Sequence, residues 1–112
     1  MRRECSLASI IIVLSAHCAY GQVASFSDDI AFFEREVRPI FVENCYECHS
    51  ANAKKLQAGL RLDHIDLIRK GGDSGPAIVD QDRDSVLLQA VRHESFEMPP
   101  KGKLSAEQIA IL

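Results

Sequence analysis

The sequence has no tryptophan, and 5 Phe and 2 Tyr supply all its aromatic rings. A core built from its own side chains alone is therefore thin, because aromatic residues carry much of the area that small domains bury. An excess of basic charge is missing too: 13 Lys+Arg stand against 16 Asp+Glu, a net charge of -3. That balance argues against a nucleic-acid footprint or adhesion to an anionic membrane. No apolar run reaches the roughly 18 residues of a transmembrane helix. A chain of 112 residues holds one small domain at most.

The N-terminus reads as an export leader. Met1-Arg2-Arg3 is basic, and Cys5 to Ala16 is apolar over a length within the roughly 7–15 residues of a signal-peptide core. Ala19-Tyr20-Gly21 supplies a small-x-small cleavage site, so residues 1–21 are expected to leave and Gln22 to become the new N-terminus. His17 before Cys18 does not suit lipid attachment. The remaining 91 residues carry 11 Lys+Arg and 15 Asp+Glu, or -4. Only Cys45 and Cys48 stay with them. The expected organisation is a leader at 1–21, a polar lead-in at 22–27 and a single domain at 28–112.

Helical signals dominate that domain. Ser27 can cap a helix whose first turn holds Asp28 and Asp29, with Ile30, Phe33 and Val37 at helical spacing. Pro39 kinks this helix or opens a new one, and the segment runs into Cys45. Ser50 to Gln57 reads as a polar surface loop. Gly59 to Asp63 alternates over too short a span for more than a brief extended piece. One helical turn is expected at Ile65 to Ile68, closed by Gly71-Gly72. Asp82 or Asp84 can cap a helix carrying Val86, Leu87, Ala90 and Val91. Met98-Pro99-Pro100 cannot be helical, since the residue before a proline is pushed to extended geometry. Ser105-Ala106-Glu107-Gln108 is a capping box for a last helix. Leu112 falls inside that helix, which points to a fragment of a longer protein.

Cys45-Tyr46-Glu47-Cys48-His49 is C-x-x-C-H, the attachment signal of c-type haem. Two thiols three residues apart on one helical turn reach the two vinyl groups at one edge of a porphyrin, and the next residue falls under the iron as proximal ligand. An export leader agrees, because bacteria attach this haem outside the cytoplasm. A redox dithiol would need a preceding strand, and none is visible. A zinc site would need a second ligand pair, and only the widely separated His64 and His93 offer themselves. A disulfide would close too short a loop to staple a domain.

Met98 lies 49 residues after His49, in a proline-stiffened loop. It is the candidate distal ligand, with His93 and His64 as alternatives. Met/His ligation fills both axial positions, which suits electron transfer rather than oxygen chemistry. Leu60, Leu62, Ile78, Val79 and Leu87 are expected to cover the porphyrin. The carbonyl of Pro76 is a candidate acceptor for the second ring nitrogen of His49. The haem supplies the missing core, so the polypeptide without it should fold poorly.

Val37-Arg38-Pro39-Ile40-Phe41, the C-x-x-C-H motif, Gly59-Leu60-Arg61-Leu62-Asp63, Gly71-Gly72, Gly75-Pro76-Ala77-Ile78-Val79, Ser85-Val86-Leu87-Leu88 and Met98-Pro99-Pro100 fall in one order. In that order the chain resembles planctomycete-type cytochrome c domains, from about residue 30 to the end. Leu104 to Ile109 is similar to the start of their last helix, which normally continues into a Trp-Ile segment. The resemblance implies an all-α, class I-like fold: a small helical domain wrapped around one covalent haem, with long loops and here an incomplete C-terminal helix. It implies haem c held by Cys45 and Cys48, with iron bound by His49 and Met98. The expected function is an exported, periplasmic monohaem electron carrier rather than an enzyme. Its partners would be redox proteins or C-terminal domains of a longer parent, with no nucleic acid and no membrane after leader cleavage. Two other readings stay open: a five-coordinate haem with peroxidase-like or gas-binding activity, and a zinc-held structural module.

Overall fold

The computed structural model describes residues 21–112, and the expected leader, apart from Gly21, lies outside them. The described residues form helices α1 (Gly21–Phe32), α2 (Arg38–Asn44), α3 (Ile65–Lys70), α4 (Val86–Val91) and α5 (Ala106–Ile111). The fold is all-α. Among the described residues the only β pairing is an isolated bridge between Gly72 and Gly75. None of their helices is long and apolar enough to cross a membrane.

Residues 22–27, expected as a lead-in, are helical: α1 starts at Gly21, so Ser27 lies inside the helix and does not open it. Propensity within one turn could not reveal this, because neither Gln22 nor Val23 breaks a helix. Ahead of Pro39, where a kink or a new helix is expected, the helix widens. Residues Phe33–Val37 make one π-helical turn, and the Arg38 N–H bonds back to the Phe33 carbonyl. Pro39 then sits in the first turn of α2, where its missing N–H costs nothing. A wide turn is a known way to pass such a residue without ending a helix.

α2 is the hinge of the packing. Its neighbouring residues Ile40 and Phe41 are both buried, and they feed two separate clusters. Phe41 packs with Leu62, Ile68 and Ala77; Ile40 packs with Val91 and Leu104. Leu87 and Leu112 touch both clusters and join them. Phe33 meets Phe41 edge to face at 6.5 Å, and the Arg38 guanidinium lies 5.5 Å from the Phe33 ring.

Helix ends follow local chemistry. His64 caps α3 by accepting from the Asp66 N–H, and Gly71 closes it at φ 75°, the left-handed geometry glycine tolerates. The cap of α4 is Ser85 rather than Asp82 or Asp84, and no side-chain bond accompanies it. Asp82 instead accepts from the Asp84 N–H in the preceding turn. Both halves of the Ser105/Gln108 capping box form, each at 3.1 Å.

Candidate functional site

The C-x-x-C-H segment is wound by the end of α2. The N–H groups of Cys45 and Tyr46 both bond the Phe41 carbonyl, and those of Cys48 and His49 both bond the Cys45 carbonyl. Buried Ser50 ties the turn from below, its hydroxyl donating to the Tyr46 carbonyl at 2.6 Å. One helical turn thereby holds both thiols and the imidazole, as the spacing requires. Both cysteines are free thiols. Burial pushes the Cys45 thiol up to about 11.

Residues 57–62 run beside this turn and bond to it without forming a strand. The Gln57 N–H donates to the Cys48 carbonyl at 3.1 Å and the Leu62 N–H to the His49 carbonyl at 2.8 Å. Between them the Leu60 carbonyl lies 3.2 Å from His49 Nδ1. A carbonyl only accepts, so Nδ1 carries the proton and Nε2 keeps its lone pair, the form that binds metal. The expected partner, Pro76, is therefore corrected to Leu60. The short alternating segment was readable in the sequence, but not its position alongside His49. Asp63 secures the far end: it accepts from the Ala51 N–H at 2.8 Å and from two Arg61 nitrogens at 2.9 Å. The Arg61 guanidinium holds its carboxyl down at about 2.

His49 is 8% exposed and forms part of the wall of a cavity of about 460 Å³. That size falls in the roughly 300–1,000 Å³ range of cofactor sites. Cys45, Cys48 and Met98 line the same cavity. So do Leu60, Leu62 and Leu87 among the residues expected to cover a porphyrin. Ile78 and Val79 do not: Ile78 packs on the Phe41 cluster, and Val79 is exposed. The cavity takes its other apolar wall from Ala77, Val86, Ala90, Val91 and Phe96, of which the 86–91 set was visible as one face of a helix.

Met98 reaches the cavity with Pro99 and Pro100 beside it, and its N–H bonds the Ala90 carbonyl at 3.3 Å. The two other histidines weighed as ligands are elsewhere. His64 is spent on its helix cap, and His93 is not among the cavity residues. The described residues contain no cluster of three or more His, Cys, Asp or Glu able to hold a bare metal ion. An apolar cavity with one lone-pair nitrogen, two thiols and one thioether in its wall fits a haem. It does not fit an ion that needs several hard or charged ligands.

The sequence pattern of the planctomycete cytochrome C family matches residues 45–102, from the first cysteine of the motif to just past the methionine loop. The chain belongs to this family. It is thus a c-type cytochrome domain, and the family implies covalently bound haem. No curated protein and no solved structure matches the chain. The matched span of this cytochrome holds every residue lining the cavity except Asn44. Phe41 and Ile40, which anchor the motif turn in the core, lie just before it.

Proposed function

We propose that this cytochrome is an exported, monohaem electron-transfer module. Cys45 and Cys48 would hold the haem through thioether bonds, each S–H adding across one vinyl group, and His49 and Met98 would bind the iron. When bound, the haem supplies a one-electron couple. The chain's own residues do the rest. Leu60 fixes the ring and tautomer of His49 through its carbonyl. Leu62, Ala77, Leu87 and Val91 exclude water from the cavity. The Met98 loop brings a soft thioether to the cavity, where it would bind the iron and raise the reduction potential of a bound haem. If His49 and Met98 both bound the iron, no position would be left for a substrate, so the reading is a carrier and not an enzyme. Expected export rests on the leader reading and on where bacteria attach c-type haem.

The observation that carries this reading is the His49–Leu60 hydrogen bond. It leaves an unprotonated ring nitrogen on a cavity lined also by both thiols and Met98. The test is an absorption spectrum of protein from an export-competent host that matures c-type haem, followed by acid-acetone extraction. Colour that stays with the polypeptide is the expected result. Colour that extracts, or iron-free protein containing zinc, overturns it. Rapid carbon monoxide binding by the reduced protein would shift the reading to an open-site haem with gas-binding or peroxidase-like chemistry.

A further inference from the structure

The Leu60 carbonyl that receives His49 Nδ1–H sits in a loop with an unusual backbone. Ala58 and Gly59 are consecutive left-handed residues, at φ 52° and 61°. A non-glycine residue such as Ala58 takes that conformation only where its surroundings impose it. The surroundings are the turn after α3. The Asp73 N–H donates to the Ala58 carbonyl at 2.9 Å, which holds the loop down. Gly72 lies flat against the same carbonyl. A β-carbon at Gly72 would run into the Ala58 carbonyl oxygen, and would sit 3.0 Å from both the Cβ and the backbone nitrogen of Leu60. The obstacle is backbone on one side and the residue bearing the histidine's acceptor on the other.

We propose that Gly72 is a positioning residue for His49: its bare α-carbon lets the 57–60 loop close far enough for the Leu60 carbonyl to hold the imidazole. The inference rests on the haem reading above. Gly72 also lines the cavity, and its hold on His49 runs through Leu60. A side chain there displaces Leu60 outward and lengthens the Nδ1–H···O bond. The imidazole then donates less electron density to iron, which disfavours the oxidised state.

The test compares three haem-loaded proteins: unsubstituted, Gly72→Ala and Gly75→Ala. Gly75 belongs to the same turn at φ 89° and lines the same cavity, but a β-carbon there meets no protein atom within 4 Å, so it controls for an added methyl group that leaves Leu60 in place. Both substitutions lower stability. Only Gly72→Ala is expected to raise the midpoint potential and to speed hydrogen exchange at His49 Nδ1 in the reduced protein. An unmoved potential and exchange rate in folded Gly72→Ala overturn the proposal. So does an equal shift in Gly75→Ala, which would make the effect a general loss of the turn. Should Gly72→Ala yield no folded protein, the unsubstituted protein decides. The proposal requires His49 Nδ1–H and the Asp73 N–H to exchange through one shared opening. Independent exchange, with Asp73 protected and Nδ1 open, overturns it. Colourless unsubstituted protein overturns the haem reading itself, and this inference with it.

Discussion

Lys101 donates to Glu47 across 2.5 Å, joining two residues 54 positions apart in the chain. Glu47 stands between the two cysteines of the motif, and Lys101 follows the methionine loop. The pair is fully at the surface, at 80% and 74% exposure, so it adds little to global stability. Its value is local: it ties the loop bearing one candidate ligand to the turn bearing the other. Lys101→Met should leave haem content unchanged and speed displacement of the sixth ligand by added imidazole, by no more than about fivefold. High salt should produce the same acceleration in the unsubstituted protein. Stopped-flow imidazole binding at low and high salt measures both.

Met98→Ala should open the sixth position. The substituted protein, once reduced, should bind carbon monoxide rapidly, where the parent resists it. Its midpoint potential should fall, because a thioether ligand favours the reduced iron. Photometric titration and carbon monoxide mixing check the two effects. Neither change in Met98→Ala would remove Met98 from the iron.

Folding should depend on the haem. The two clusters around Phe41 and Ile40 contain few large buried side chains, and the cavity they share is lined in part by the exposed apolar side chains Phe96 and Met98, which a haem would cover. Polypeptide made without haem maturation should show weak helical circular dichroism and a broad, poorly cooperative melt. A double Cys45→Ala, Cys48→Ala protein should lose its colour on acid-acetone extraction.

Asp63 gives the domain an acid limit. Its carboxyl titrates at about 2 in the fold, against about 3.9 in an unfolded chain. A depressed carboxyl stabilises the folded state fully above about pH 4, and this contribution drains away as the pH falls through about 2. Asp63→Asn should cost on the order of 1 kcal/mol at neutral pH, with solvent screening of Arg61 included, and should flatten stability against pH over that acid window. Denaturant melts between pH 2 and pH 7 test the sign.

Electron exchange should depend on salt. The 91 residues after the expected cleavage site carry 15 acidic and 11 basic side chains, which favours a partner with a basic face. The bimolecular rate with such a partner should fall as ionic strength rises. A flat salt dependence would reject electrostatic steering.

Much of the site was legible because covalent chemistry imposes rigid spacing. Cys45, Cys48 and His49 must share one turn, and Met98 before two prolines can only be a loop residue. The Ser105–Gln108 box was legible for a similar reason, being a contact within one helical turn. What escaped the sequence depended on distant neighbours. Leu60 replaced Pro76 as the partner of His49 because residues 57–62 bond back across the motif turn, a pairing no local pattern announces. Ser85 replaced the aspartates as the cap of α4 because Asp82 is engaged in its own turn. Helix α1 began before Ser27 because a capping residue type is permitted, not required, to start a helix. Ile78 and Val79 looked like cavity wall because they are apolar, yet only Ala77 of that run faces it.

The bracket around His49 is built from residues 48–50 on one side and 57–62 on the other. The chain joining them, Lys54 to Leu56, is exposed and lies on the outer surface. Its length is therefore free of the geometry it closes. Extra residues spliced between Lys54 and Lys55 would hang clear of the cavity at modest entropic cost. This makes the loop a natural graft point, where a surface-anchoring peptide could wire the domain to an electrode without disturbing the ring it encloses.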